Sequence, residues 1–159
     1  MMVLDGIIFS TFYFIYFFPK WRKKELFYHT LFYVYLIALF LITLSPFFTS
    51  LTTLFQSGFQ PMLLEPFRDI IAGYAMADLQ IFLNILLFLP FGFLLPTIRN
   101  LKCRQVVFNA FLLSFFIEVF QPVINSYRKS DITDIICNTL GGLIGYGLYY
   151  IYRKMSSKS

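Results

Sequence analysis

The chain has 159 residues, 58% of them hydrophobic and 13% charged, with a formal net charge of +5 and a mean hydropathy of +0.71. A soluble domain carries about a quarter charged residues. Here that share is halved and the apolar residues lie in long blocks, which leaves no room for a separate soluble domain beside membrane spans. The lone His29 excludes a histidine cluster, and Cys103 and Cys137 fall in a basic loop and an apolar run. No zinc site, thiol-redox motif or disulfide is expected from this pattern, and no cofactor is implied.

A helix needs roughly 20 apolar residues to cross the hydrocarbon core. Five stretches qualify as candidate spans, at about residues 3–18, 28–48, 79–98, 106–124 and 135–152. Span 1 is short and carries Asp5, and the basic residues Lys20, Arg22, Lys23 and Lys24 follow it. A signal peptide places its positive charges before the apolar run, so this segment is expected to be retained. The 22 Phe and 11 Tyr suit lipid-facing helices and headgroup boundaries.

The connections differ in charge. Loop 1 holds the cluster just named, loop 3 holds Arg99, Lys102 and Arg104, and the tail holds Arg153, Lys154 and Lys158. The remaining basic residues, Arg68, Arg128 and Lys129, fall in loops 2 and 4. The positive-inside rule then puts loops 1 and 3 and the C-terminus in the cytoplasm, with loops 2 and 4 outside. Topology and anionic lipid account for the basic excess without nucleic acid. Loop 2, about residues 49–78, is the one long connection, and Pro61 and Pro66 rule out a single regular helix there. Its apolar residues suggest contact with the outer leaflet.

An ionisable side chain within a span is costly and marks a site by default. Span 4 carries Glu118, with Ser114 and Gln121 on the same helical face. Span 3 carries Asn84, and span 5 carries Asn138 and Thr139. With the orientation above, Asn84 and Glu118 lie about 9 Å below the outer ends of their helices and Asn138 about 5–6 Å, at about 1.5 Å per residue. Asp131, Asp134, Asn138, Gly141, Gly142 and Gly145 form one continuous stripe, acidic above and bare glycine below. The G-x-x-x-G of Gly141 and Gly145 permits close helix approach. Pro90, in the Pro-Phe-Gly that ends at Gly92, removes a hydrogen bond to the Leu86 carbonyl and kinks span 3.

The sequence reads as an all-α integral membrane protein, a bundle of about five transmembrane helices forming one domain over residues 1–159, with a polar cluster near the outer face. Two readings of that cluster stand side by side. The amides can be interhelical glue, the aspartates helix-start acids, and the glycines packing. Alternatively, Asn84, Glu118, Gln121, Arg128, Asp131, Asp134, Asn138 and Thr139 form a ligand site, with Glu118 as the one candidate for catalysis and Pro90, Gly92 and the three glycines as packing elements.

The ordered set N-I-L-L-F-L-P-F-G at 84–92, E-V-F-Q at 118–121 and R-K-S-D-I-T-D-I-I-C-N-T-L-G-G-L-I-G at 128–145 resembles the VanZ-like family. The resemblance covers about residues 63–145. Leu64, Pro66 and Phe67 are similar to the family's N-L-x-P-F element, with Leu63 where Asn is usual. The resemblance implies a bacterial membrane protein associated with low-level resistance to teicoplanin, a lipoglycopeptide acting at the outer membrane face. It implies no established reaction.

Three functions follow. The first is a binding module whose outer pocket takes an amphiphile: a lipid headgroup, a lipid-linked wall precursor or the antibiotic's acyl chain. Arg128 would contact phosphate or carboxylate, the acidic residues would accept hydrogen bonds, and an apolar slot beside the glycine stripe would take the chain. The second is a membrane enzyme on a lipid-linked substrate, with Glu118 as acid or base and Asp131 and Asp134 holding a divalent cation. The third is an accessory scaffold.

Overall fold

The computed structural model describes residues 2–13, 15, 23–44, 61–124 and 129–157. Lys20, Arg22, the first part of loop 2, Arg128 and Lys158 lie outside the described residues. The described chain is all-helical: α1 (Met2–Phe12), α2 (Lys23–Leu44), α3 (Arg68–Ile71), α4 (Ala77–Ile98), α5 (Cys103–Ile124) and α6 (Ile132–Ser156). Among the described residues the only β-type pairing is a parallel bridge between Leu63 and Asp131.

Among the described residues three helices are long and apolar enough to cross a membrane: α2 over Glu25–Leu44, α4 and α5. The 22 residues of α4 and of α5 give about 33 Å at about 1.5 Å per residue, enough for a hydrocarbon core of roughly 30 Å. α6 has the length, at 25 residues. It is not among the three helices that are also apolar enough. α1 spans 11 residues and is too short over its described length. The five expected spans are therefore represented by three helices that meet both criteria and two that meet only one or neither. The outer surface is strongly apolar, with Phe82, Leu83, Leu86, Phe108 and Phe116 exposed. A patch of that extent is unsuited to water and fits a membrane protein.

α4, α5 and α6 form the centre. The most extensive helix interface is that of α4 with α6, followed by α5 with α6. Glycine makes the first possible: a Cβ on Gly145 would overlap the Leu89 carbonyl, and one on Gly92 would overlap the carbonyl of Gly142. Gly141 meets the Ile85 carbonyl in the same way. The backbones touch along this seam, so α4 itself fills the space beside the glycine stripe. Beside this seam, Phe88, Phe91 and Leu95 of α4 pack with Val106, Ala110 and Ile117 of α5 and Leu39 of α2. α1 is held to α2 by a Tyr33 hydroxyl donating to the Phe9 carbonyl at 2.8 Å and by Tyr13 bonded to Thr30, with Asp5 fully buried.

Each proline inside a helix leaves a carbonyl without its usual donor. Pro122 of α5 frees the carbonyl of Glu118, and the Ser130 hydroxyl donates to it at 2.6 Å. Near Pro90, the Tyr35 hydroxyl of α2 donates to the Leu87 carbonyl at 2.9 Å, one residue beyond the carbonyl the proline frees. Donors from neighbouring elements are what make such breaks tolerable in a dry setting.

Candidate functional site

α6 begins where loop 4 meets loop 2. Asp131 is its N-cap and accepts the Thr133 N–H at 2.7 Å, satisfying one of the helix's orphan donors. The returning end of loop 2 docks alongside. The Leu63 N–H donates to the Ser130 carbonyl at 2.9 Å, and the Leu63 carbonyl accepts the Ile132 N–H at 3.0 Å. Leu63 thus ties the loop through its backbone, whatever its side chain. Four residues on, the Phe67 N–H donates to Thr133 Oγ1 at 2.9 Å. Phe67 has φ 57° and Met76 φ 70°, both in the left-handed region that side chains disfavour. These two residues flank the short helix α3 and its Gly73 turn.

The polar residues of α4, α5 and α6 meet in one layer. Asn84 donates to Asp134 Oδ1 at 2.6 Å, and Gln80, one turn earlier on α4, approaches the same oxygen at 3.5 Å. Asn138 donates to Ser114 Oγ at 2.9 Å. Glu118 is 2% exposed, and its Oε2 accepts the Asp131 N–H at 2.9 Å. Helical phase explains the grouping: Gln80 and Asn84, Ser114 and Glu118, and Asp134 and Asn138 are each i, i+4 pairs.

Beside this layer lies a cavity of about 850 Å³. Its polar end is formed by Gln80, Asn84, Glu118, Gln121, Lys129, Asp134 and Asn138. Its apolar walls come from Tyr35, Ala38, Leu39 and Ile42 of α2, Leu79, Leu83, Leu86, Leu87 and Pro90 of α4, and Ile117 of α5. Ile42, Leu83 and Leu86 line the cavity and are also 61%, 50% and 48% exposed. The mouth is therefore edged by side chains of α2 and α4 that face outward from the bundle.

Of the residues singled out in the sequence, Asn84, Pro90, Glu118, Gln121, Asp134 and Asn138 line this cavity. Asp131 faces a separate, much smaller hollow with Phe67, Gln80, Thr133 and Asp134. Thr139 returns its hydroxyl to the Ile135 carbonyl at 2.7 Å and forms no part of the cavity wall. Gly92, Gly141, Gly142 and Gly145 are spent on helix contact, and Arg128 lies outside the described residues. The apolar slot expected beside the glycines is instead built by α2 and α4, on the other side of α4. Sequence reasoning missed Gln80, although its i, i+4 spacing to Asn84 was available. It also missed Tyr35, Thr133 and the bond of Ser130 to the Glu118 carbonyl, which depend on elements distant in the chain. Among the described residues no group of three or more His, Cys, Asp or Glu is placed to hold a metal ion.

A sequence profile of the VanZ/LLP1 family matches residues 32–153. The chain belongs to the VanZ/LLP1 family. The match begins within α2 and ends within α6, so it takes in every helix that lines the cavity. A curated relative, Protein VanZ of Enterococcus faecium, is 34% identical over 76 residues, 45% of this chain and 44% of that protein. The chain thus matches less than half the length of that relative. No solved structure matches the chain.

Proposed function

We propose that this family member is a bacterial cell-membrane protein that lowers susceptibility to teicoplanin-type lipoglycopeptides by binding an amphiphile in the cavity between α2, α4, α5 and α6. The ligand is a membrane lipid, a lipid-linked wall precursor or the lipoglycopeptide's own acyl chain. The chain acts as one membrane domain of five crossing or embedded helices. Loops 1 and 3 and the C-terminus are cytoplasmic, and loops 2 and 4 are outside. The polar layer then sits in the outer half of the bilayer, where such ligands are found.

The observation that carries this reading is the cavity's division. One end is amides and carboxylates, and the walls are aliphatic and open between α2 and α4 through exposed apolar side chains. In a bilayer that opening faces acyl chains, so a ligand reaches the site by lateral diffusion with its chain already in hydrocarbon. Loop 4 supplies Lys129 at the polar end as a partner for a phosphate or carboxylate.

A second reading, a membrane enzyme with Glu118 as acid or base, has support in the position of that carboxylate on the cavity wall. One of its oxygens already accepts the Asp131 N–H, which favours a positioning role.

The test compares teicoplanin susceptibility of a sensitive Gram-positive host carrying wild type or Glu118→Gln at matched membrane levels. Protection by wild type that the variant loses supports the cavity as the functional site. Equal protection by both removes Glu118 from it, and protection by neither refutes the resistance reading for this chain.

A further inference from the structure

The end of the bundle opposite the polar layer carries an unbalanced charge. Arg99 is the C-cap of α4, Lys102 and Arg104 flank the start of α5, and Arg153 and Lys154 fall in the last turn of α6. Tertiary contacts join these segments to the start of α2. Arg153 Nη1 donates to Asn100 Oδ1 of loop 3 at 3.3 Å and to the Tyr149 hydroxyl at 3.2 Å. The hydroxyls of Tyr28 and Tyr152 approach to 3.5 Å. The acids Glu65, Asp69, Asp78, Glu118, Asp131 and Asp134 belong to the other end, which leaves Glu25 of α2 at the basic one. All five cations are exposed, and among the described residues none of them forms an ion pair. Like charges held this way repel one another, and the end attracts anions.

Two further features say which anion fits. The contacts to Asn100 and Tyr149 hold Arg153 through one nitrogen, so its Nη2 and Nε keep their hydrogens for the oxygens of a phosphate. Beside it, Leu148, Ile151 and Tyr152 share one face of α6 at i, i+3 and i+4, and all three are exposed. The Phe93 ring packs against Tyr149 and Tyr152 at 6.4 and 5.7 Å between ring centroids, and tyrosines in this position suit the headgroup boundary. A cationic group thus adjoins an apolar strip on the outside of the bundle. We propose that this end is a second binding site, for an anionic phospholipid. Arg153 contacts the phosphate, Arg99 and Lys102 add attraction, and an acyl chain lies along Leu148, Ile151 and Tyr152. A choline headgroup is disfavoured because it brings its own positive charge among the other five. None of these residues lines the cavity between α2, α4, α5 and α6, so the site does not depend on a ligand there.

The experiment uses the full chain in vesicles of equal dioleoyl-phosphatidylglycerol and dioleoyl-phosphatidylcholine, with lipid retained on the protein read by native mass spectrometry. Wild type is expected to retain the glycerol lipid over the choline lipid by about tenfold. Arg153→Gln is expected to bring that preference to about threefold or less. Lys154→Gln removes the same charge one residue on, from a side chain without a partner among the described residues, and is expected to keep most of it. Lys129→Gln, at the polar end of the cavity, is expected to keep it as well. A third arm adds glycerophosphoglycerol, the headgroup without its chains, at the concentration of the lipid, and is expected to displace none. Equal retention of the two lipids by wild type overturns the proposal without any variant. Equal losses in Arg153→Gln and Lys154→Gln overturn it in favour of net charge alone. Loss in Lys129→Gln moves the preference to the cavity, and displacement by the free headgroup makes the ligand a soluble phosphate; either result overturns the proposal and leaves amphiphile binding in the cavity standing.

Discussion

The Glu118 carboxylate of α5 accepts the backbone N–H of Asp131, the N-cap of α6, at 2.9 Å. The carbonyl of the same Glu118, freed by Pro122, accepts the Ser130 hydroxyl. One residue therefore anchors the start of α6 with both its side chain and its backbone, while also forming part of the cavity wall. A substitution at Glu118 tests structure and function together, and two substitutions separate them. Glu118→Ala removes the acceptor and leaves the Asp131 N–H unpaired, so it is expected to destabilise the fold by about 1–3 kcal/mol. Glu118→Gln keeps an oxygen for that N–H and is expected to cost about 1 kcal/mol or less. Thermal unfolding in detergent, followed by circular dichroism, checks the order. Equal losses in the two variants would contradict the role assigned to this hydrogen bond.

The α4–α6 seam makes a sharp prediction because two glycines of the same helix differ in their surroundings. Gly145 faces the Leu89 carbonyl with no room for a methyl group, whereas Gly147 has nothing within 4 Å of where a Cβ would lie. Gly145→Ala is expected to push the helices apart and to cost several kcal/mol, within the range of about 1–3 kcal/mol or more for overpacking. Gly147→Ala is expected to stabilise by up to about 1 kcal/mol through helix propensity. Protease resistance and monodispersity on size-exclusion chromatography report the difference, and a tolerated Gly145→Ala would disprove the contact.

Asn84 and Asp134 form the hydrogen bond that joins α4 to α6 at the polar end of the cavity, at 2.6 Å. A bond to a carboxylate is worth about 1.5–3 kcal/mol when one partner is removed. A double-mutant cycle with Asn84→Ala and Asp134→Ala is expected to show a coupling of about 1–3 kcal/mol, because residues in direct contact are non-additive. A coupling near zero would mean that the two side chains do not depend on each other.

Met76 holds φ 70° immediately before α4, and its exposed side chain lines the cavity. A residue with a Cβ in that conformation carries strain of order 1 kcal/mol, which glycine lacks. Met76→Gly is expected to raise the unfolding temperature or leave it unchanged, even though it loosens the unfolded chain. If it lowers stability by more than about 1 kcal/mol, the side chain contributes packing that outweighs the strain.

Much of the site was legible in local spacing. The stripe from Asp131 to Gly145, the face of Ser114, Glu118 and Gln121, and the break at Pro90 are all consequences of 3.6 residues per turn and of proline's missing N–H. Spacing left undecided what each face meets. Asp131 and Asp134 look equivalent in the sequence, yet Asp131 folds its carboxylate back onto Thr133 while Asp134 reaches Asn84. The position of Leu63 drew attention for the side chain it lacks, although its contribution is the peptide group that bonds Ser130 and Ile132.

By itself the sequence determined that the chain is helical, that its helices suit a membrane, and which residues share a face of each helix, because composition and periodicity act within a segment. Only the tertiary structure decided which faces meet. Backbone contact at Gly92, Gly141 and Gly145 sets the register of α4 against α6, and that register brings Asn84 to Asp134. The cavity followed for the same reason. With α6 seated against the glycine side of α4, the apolar space beside the polar layer opens on the other side, where α2 forms its far wall.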